Sequence, residues 1–317
     1  MKNIAVITGG SAAERSISLK SADVVCKYID KTKYRPFKVV INEKEWIVEE
    51  NGNAIATIDK NDFSCIVKGE PILFDKVFVA LHGTPAEDGK LQGYFDLLNI
   101  PYNCCGVLQA ALTFDKNRCK EYLSNYGVKT AKAKLFRIDE PKNVVEVAFS
   151  YPVFVKPNKN GSSYGAAKVD EAKNLATAVE NALKYDNEVI VEEFIKGTEV
   201  TCGVLTINGD VIALPLTEIR SKNSFFDFNA KYEGGSQEIT PAEIDAELFK
   251  SIQATSIMIY KALDFKGMSR IDYIVCNGEY FMLEVNSVPG LSEESLIPQQ
   301  ARAHGISLTE LFNISLA

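Results

Sequence analysis

The stretch "SRIDYIVCNGEYFMLEVNSVPG", residues 269–290, constrains the fold more than any other part of the chain. Two apolar, β-rich runs flank Asn277-Gly278, a dipeptide that favours a two-residue hairpin turn because both positions tolerate positive φ. Side chains along each strand alternate between faces. Asp272 on the first run and Glu284 and Asn286 on the second interrupt the apolar pattern. Buried acids need partners, so a plain core role fits poorly; a solvated face remains the alternative, against strongly apolar residues between them. Two carboxylates and an amide oxygen are hard donors that suit Mg²⁺, which is commonly held by one or two carboxylates plus substrate phosphates. One geometric condition follows. A strict two-residue turn pairs Asp272 with Leu283 and turns Glu284 to the other face. Bringing the two acids side by side requires an extra loop residue or a β-bulge, and we expect that irregularity.

With 317 residues the chain has room for two or three domains. Hydrophobic residues make up 46% and charged residues 24%, the mix of a globular protein. A net charge of -7 supplies no overall basic field for nucleic acid or an acidic membrane, although it leaves room for a local basic pocket. Seven cysteines without a C-x-x-C pair, and two histidines, argue against a zinc site and a disulfide framework. A reducing cytoplasm is the simple reading. The apolar run in "MKNIAVITGG" is too short for a signal peptide, and no stretch approaches the 18 or so apolar residues of a membrane helix.

The order of elements points to an α/β layer followed by an α+β remainder rich in antiparallel strands. "NIAVITGG" reads as a strand ending in a glycine turn and "SAAERSISLKSADVVCKYI" as a helix after it. "DKVFVALHG" is a second buried strand, followed by the helix "KLQGYFDLLNI". "VLQAALTFDKNRCKEYLSNYGV" is helical, with Asp115 as a cap. A second unit runs from the strand "YPVFVKP" through a glycine-containing loop to "NEVIVEEFI". "EVTCGVLTINGDVIALPLTEI" is another hairpin, turning at Asn208-Gly209. Residues 220–241 have few periodic apolar positions and read as a long surface loop, a kind of segment that is usually functional or disordered. "AEIDAELFKSIQATSIMIYKALDF" is an amphipathic helix.

Each remaining motif has a plain structural reading beside a functional one. "KPNKNGSSYG" (156–165) sets Lys156, Lys159, glycines and serines in a loop able to cradle phosphate. It lacks the ending of a Walker loop, and an exposed turn explains it equally well. "EEFIKGTE" (192–199) can present backbone to a planar base and Glu199 to a ribose, yet alone it reads better as a strand end with solvated acids. Ser11-x-x-Glu14 is a capping box by spacing. His82 ends a strand where α/β proteins place ligands, though a lone histidine there is more often structural. Lys231-Tyr232 lie in the long loop, which could close over phosphates.

Together these stretches resemble the D-alanine–D-alanine ligase family of the ATP-grasp superfamily. The resemblance rests on "GGSAAERSISLKS", "ALHGTPAEDGKLQG", "CGVLQAALTFDK", "VKPNKNGSSYG", "FFDFNAKY", "RIDY" and "LEVNSVPGLSEESLIP", seven fragments in order along nearly the whole chain. It implies a three-domain ATP-grasp fold with nucleotide held between two antiparallel sheets. The divisions would be an N-terminal substrate-binding domain (1–101), a central ATP-grasp subdomain (102–193) and a C-terminal subdomain (194–317) with the lid 220–241 and the metal site. It also implies an ATP-dependent ligase that joins two D-alanines through an acyl phosphate for peptidoglycan precursor synthesis, in the cytoplasm and as a homodimer. D-Alanine–D-lactate ligation is the alternative, disfavoured by Tyr232. A catalytically silent nucleotide-binding protein and a nucleotide-dependent oxidoreductase are weaker rivals.

Residue by residue, the resemblance implies that Lys116, Lys156 and Lys231 hold ATP phosphates, with Ser163 in the phosphate loop. Glu192 would face the adenine amino group, the backbone of Glu193, Phe194 and Ile195 would frame the base, and Glu199 would bind the ribose. Asp272, Glu284 and Asn286 would hold two Mg²⁺ (or Mn²⁺). Glu14, in a hydrogen-bonded set with Ser162 and Tyr232, would hold the first D-alanine's ammonium group. Arg270 and the Gly290 backbone would stabilise the oxyanion, Ser295 and the Leu296 backbone would receive the second substrate's carboxylate, and His82 would sit beside the substrates. Two places depart from the expected pattern: Tyr164, where a smaller apolar residue is common, and Glu293-Glu294, just before Ser295.

Overall fold

The computed structural model describes residues 1–10, 14–42, 44–139, 146–221 and 236–317. Strand β1 (Lys2–Gly9) is buried along nearly all its length, the signature of a strand covered on both faces. It lies between β2 (Tyr34–Ile41) and β7 (Lys76–Val79), parallel to both. The layer is parallel only in part, because β3 (Trp46–Glu50) and β4 (Asn53–Thr57) extend it antiparallel beyond β2. A small hairpin of β5 (Cys65–Val67) and β6 (Glu70–Ile72) stands apart from it. Helices α1 (Arg15–Tyr28) and α2 (Lys90–Leu98) belong to this part of the chain.

The sequence 107–128 forms two helices rather than one, α3 (Val107–Phe114) and α4 (Lys116–Ser124). The break is at Asp115, which takes an extended conformation and accepts the Arg118 N–H as N-cap of α4, the cap expected of it. The central sheet is antiparallel, in the order β10 (Ala167–Val169), β9 (Val153–Pro157), β11 (Glu188–Glu193), β8 (Ala133–Arg137), with α5 (Leu175–Ala182) packed on β9.

A six-stranded antiparallel sheet completes the chain. Its path is β15 (Ser236–Ile239), β14 (Thr217–Ser221), β12 (Thr198–Ile207), β16 (Ser269–Cys276), β17 (Glu279–Asn286), and β13 (Asp210–Ala213) also pairs with β12. The expectation of a loop across 220–241 needs correction at its ends. Glu218 to Ser221 pair antiparallel with Ser236 to Ile239. Its middle, with Lys231 and Tyr232, lies outside the described residues. Asp245 caps α6 (Ala246–Ala262) through the Glu247 and Leu248 N–H groups, and α7 (Leu296–Ala303) and α8 (Leu308–Leu316) follow.

Apolar clusters reveal how these layers attach. Ile4 and Val6 of β1 share a core with Val25 of α1, Ile297 of α7 and Phe312 of α8, so the first and last segments are fused. Cys119 and Leu123 of α4 share another with Ile271, Met282 and Val285 of the six-stranded sheet. The central sheet keeps a cluster of its own, between its strands and α5.

Candidate functional site

The β16–β17 hairpin turns tightly, with Cys276 opposite Glu279 and both Asn277 (φ 52°) and Gly278 (φ 77°) in the left-handed region. The extra residue is therefore not in the turn. Pairing is regular to Tyr273 opposite Met282, then slips, so that Asp272 faces Glu284 and Arg270 faces Asn286. Leu283 is the inserted residue of the expected bulge. Its consequence is visible in the cavity above, which Leu283 and Glu284 both line although they are sequence neighbours.

Asp272 is almost fully buried and tightly held. Arg270 donates to it through Nε (2.9 Å) and a terminal nitrogen (3.0 Å), and Asn286 Nδ2 donates to the same carboxylate at 3.0 Å. A carboxylate offers about four acceptor positions, so capacity for a cation remains. Glu284 lies 3.4 Å from Lys116 Nζ. Among the described residues no group of three or more His, Cys, Asp and Glu gathers as a closed cage. Two acids and an amide on one face instead make an open set of hard oxygens. That set fits a divalent cation whose remaining ligands come from phosphate and water.

The wall opposite is the glycine-containing loop. Ser162 (φ 52°) and Ser163 (φ 56°) are consecutive non-glycine residues in the left-handed region, a strain that clusters at functional sites. The Ser162 hydroxyl donates to Glu14 Oε1 at 2.7 Å, across 148 residues of sequence. This geometry overturns the capping-box reading of Glu14. Helix α1 begins at Arg15, so Glu14 is its N-cap residue rather than its third, and its carboxylate is turned towards the serine loop. Lys159 is tied down structurally, with Nζ 2.5 Å from Glu188. Tyr164 stacks on Tyr185, which accounts for its size at that place.

Between loop and hairpin lies a tight cavity of about 140 Å³. Lys116, Lys156, Ser163 and Tyr164 line it on the phosphate-loop side. Glu192, Glu193, Phe194, Ile195 and Glu199 line it along the exit from β11. Glu192 is 3% exposed and paired with two lysines, Lys120 and Lys156, the latter at 2.9 Å. Burial opposes its charge, yet the lysines hold its carboxyl down at about 2. Burial draws Lys120 down to about 8.

An adjoining cleft of about 490 Å³ is lined by Glu14, His82, Arg270, Gly290, Ser295 and Leu296, all expected near substrate. His82 is buried, with Nδ1 2.8 Å from the Val288 carbonyl and Nε2 2.9 Å from the Ser21 hydroxyl. The carbonyl can only accept, so Nδ1 carries the proton and Nε2 accepts from Ser21. Burial lowers the ring's pKa and favours this neutral form. Ser295 is the N-cap residue of α7, but its hydroxyl meets Ser292 at 2.7 Å instead of capping the helix. That leaves the helix's first N–H groups for an anion such as a carboxylate. Glu293 bonds Lys27 (2.8 Å) and Tyr28 (3.1 Å) of α1 and so clasps the loop, while Glu294 lines the cleft.

The cavity and the cleft are continuous: Lys116, Asn160, Gly161, Ser162 and Glu284 line both. A larger open groove near Lys76, Tyr102 and Met268, about 980 Å³, contains none of the expected site residues. Sequence reasoning missed three polar residues. Lys120 lies four positions after Lys116, hence on the same helix face, a signal available in the sequence. Glu87 accepts N–H groups from Gly83 (2.9 Å) and Val288 (3.3 Å), and burial together with Glu14 pushes its carboxyl up to about 7. Asn158, fully buried, donates to Asp115 and Glu188 and accepts the Asn117 N–H, which locks the start of α4 to the phosphate loop.

Comparison with known proteins agrees with this geometry. Residues 3–105 match the family model described as D-ala D-ala ligase N-terminus, and residues 123–316 the one described as D-ala D-ala ligase C-terminus. The D-alanine–D-alanine ligase of Flavobacterium johnsoniae is 49% identical over 314 residues, covering 98% of this chain and 97% of that protein. The ligase of the same name from Azobacteroides pseudotrichonymphae is 47% identical over 317 residues, covering 98% of each. Among solved structures, the VanG D-Ala:D-Ser ligase from Enterococcus faecalis superposes with a TM-score of 0.87 at 34% identity, over 99% of this chain and 98% of that one. The D-alanine–D-alanine ligase from Bacillus anthracis complexed with ATP does so at 0.80 and 29%, over 100% and 96%. By sequence along its whole length and by fold, the chain belongs to the D-alanine–D-alanine ligase family.

Proposed function

We infer that this chain is an ATP-dependent ligase that joins two D-alanines through an acyl phosphate, supplying D-alanyl-D-alanine for peptidoglycan precursors. The observation that carries the reading is the shared wall of cavity and cleft. Lys116, Gly161, Ser162 and Glu284 border both, so a phosphate bound in the cavity adjoins the cleft. Phosphoryl transfer needs positioning and charge neutralisation more than covalent help from the protein.

In this reading Lys116 and Lys156, with Ser163, hold the ATP phosphates. Glu192 faces the adenine amino group, the backbone of Glu193 to Ile195 frames the base, and Glu199 binds the ribose. Glu14, oriented by Ser162, fixes the first D-alanine's ammonium group and so aims its carboxylate at the cavity. Arg270, which donates to Asp272 through two of its N–H groups, and the Gly290 N–H serve the oxyanion of the tetrahedral intermediate. Ser295 and the Leu296 N–H receive the second carboxylate, and neutral His82 braces the cleft. Asp272, Glu284 and Asn286 would hold Mg²⁺ or Mn²⁺, which when bound neutralises charge on the transferring phosphates. By family resemblance Lys231 would touch phosphate, Tyr232 would join Glu14 and Ser162, and the lid 220–241 would exclude water from the acyl phosphate; Lys231 and Tyr232 lie outside the described residues.

The finer organisation belongs to the same proposal: domains 1–101, 102–193 and 194–317, a homodimer, and a cytoplasmic location. No described helix is long and apolar enough to cross a membrane. The relatives named above carry D-Ala–D-Ala or D-Ala:D-Ser names and lend D-lactate ligation no support. The test is ATP-dependent phosphate release, with product identification, using D-alanine alone and D-alanine mixed with D-serine, D-lactate or L-alanine. D-Alanine alone should sustain release and yield the dipeptide. Ester formation at neutral pH that outruns dipeptide formation would overturn the assignment.

A further inference from the structure

Helix α4 sends two lysines from one face towards the nucleotide cavity, and they meet different partners. Lys116 reaches the Asn160 carbonyl (2.7 Å) and Glu284. Lys120, 5% exposed, ends on one oxygen of Glu192, and Lys156 takes the other at 2.9 Å. One buried carboxylate thus carries two ammonium groups. Their positions are not equivalent. Lys156 lines the cavity and Lys120 does not. They also come from different bodies: Lys156 and Glu192 stand on the central sheet, whereas α4 packs into the core of the six-stranded sheet.

We propose that Lys120 is a positioning residue for nucleotide binding: it keeps the buried Glu192 carboxylate paired, so that Lys156 can leave it for an ATP phosphate. The inference rests on the reading that ATP occupies this cavity. Without Lys120, turning Lys156 to a phosphate would strip a carboxylate only 3% exposed of its cation. Leaving one partner of a buried pair uncompensated is strongly unfavourable, so Glu192 would compete with ATP for Lys156. With Lys120 present that competition is relieved before ATP arrives.

Calorimetric ATP binding in the absence of D-alanine, on the full-length chain, tests this with four variants. Lys120→Met should weaken ATP binding roughly ten- to hundredfold and raise the KM for ATP without moving the KM for D-alanine. Lys120→Met combined with Glu192→Gln removes the competing charge, and should bind ATP within about threefold of Glu192→Gln alone. A residue that merely supports the fold would show no such rescue. Lys156→Met should weaken binding by itself. If Lys120→Met binds ATP like the parent, or the double variant drops as far below Glu192→Gln as Lys120→Met does below the parent, the proposal falls. Should Lys120→Met not fold, the double variant compared with Glu192→Gln decides, and a loss of about tenfold or more between them overturns the idea. Unchanged affinity in Lys156→Met would sink the nucleotide reading of the cavity as well.

Discussion

Replacing Gly161 with alanine puts one methyl group into the contact that joins the phosphate loop to the amino-acid cleft. A Cβ built there would stand 2.4 Å from Glu14 Oε1 and 3.0 Å from its Cδ and Oε2. Gly161 is not among the positive-φ glycines, so the substitution is a pure test of close approach. Restoring ordinary contact, near 3.5 Å, pushes the carboxylate back by about 1 Å. The Ser162–Glu14 hydrogen bond, now 2.7 Å, would then exceed the length at which such a bond counts. A hydrogen bond to a charged group contributes about 1.5–3 kcal/mol, and a shift of about 1 Å in a positioning group can cost about a hundredfold in rate. The expected outcome is a kcat/KM for D-alanine lower by roughly ten- to hundredfold. ATP affinity should stay within about threefold of the parent, because the new methyl faces Glu14 rather than the nucleotide cavity. Steady-state phosphate release against D-alanine at saturating ATP, with calorimetric ATP binding alongside, gives both numbers. Unaltered D-alanine kinetics would refute the argument that Ser162 holds Glu14 in place. So would an ATP defect larger than the D-alanine defect.

Other perturbations probe the rest of the site and its frame. Glu284→Gln keeps the shape of a partly exposed side chain but removes the charge opposite Asp272 and beside Lys116. Phosphate release should disappear while the thermal transition stays within a few degrees of the parent, and turnover near the parent's would dismiss the metal assignment. Gln300→Leu should cost about 3 kcal/mol in denaturant unfolding. It removes the Gln300 hydrogen bonds to the buried Gly203 N–H and Thr201 carbonyl, and leaves the Thr217 hydroxyl with Thr240. Glu188 has its carboxyl lowered from 4.5 to about 2, chiefly by the hydrogen bond from Lys159. Its contribution to stability is therefore complete above pH 4.5 and vanishes as pH falls through 2. Glu188→Gln should be less stable by about 2–3 kcal/mol at pH 7 and converge with the parent near pH 2. A difference independent of pH would show that packing, rather than ionisation, is at stake.

The β16–β17 hairpin was legible because strand arithmetic is rigid. A two-residue turn and a side-chain period of two leave a bulge as the way to bring Asp272 and Glu284 together, and the slip occurs at Leu283. Local motifs were less reliable where two structures fit the same spacing. Ser11-x-x-Glu14 suits a capping box, but whether Glu14 serves the helix or the loop 148 residues away depends on tertiary structure alone. The ends of the segment 220–241 were misread for a related reason. Arg220 and Glu238 look like solvated residues, yet Arg220 pairs with Gln237 and Glu238 with Ile219 in strand register, so a strand is hidden under charge. Asn158 and Glu87 gave no sequence signal because their partners are remote. Asn158 meets Asp115 and Glu188, and Glu87 meets Val288 across 201 residues.

The way the three sheets are joined bears on how substrates enter. The N-terminal layer and the six-stranded sheet share an apolar core through α1, α7 and α8, and Glu87 and Glu293 add polar clasps across the same seam. Separating them would expose buried hydrocarbon, which is strongly unfavourable. The central sheet has no share in those cores among the described residues. Among the described residues its polar ties to the rest include Lys120 to Glu192, Arg118 to Glu188, Asn158 to Asp115 and Asn117, Lys116 to the Asn160 carbonyl and Ser162 to Glu14, with a bridge between Thr130 and Met282 beside β8. A neutral polar tie can be exchanged for water or ligand with a net change of only about 1 kcal/mol, whereas the buried Lys120–Glu192 pair is costlier to break. Of these groups, Lys116, Ser162 and Glu14 are also ones that phosphates and an ammonium group would engage. Substrates would therefore compete with the ties of the central sheet and leave the apolar seam between the other two sheets untouched.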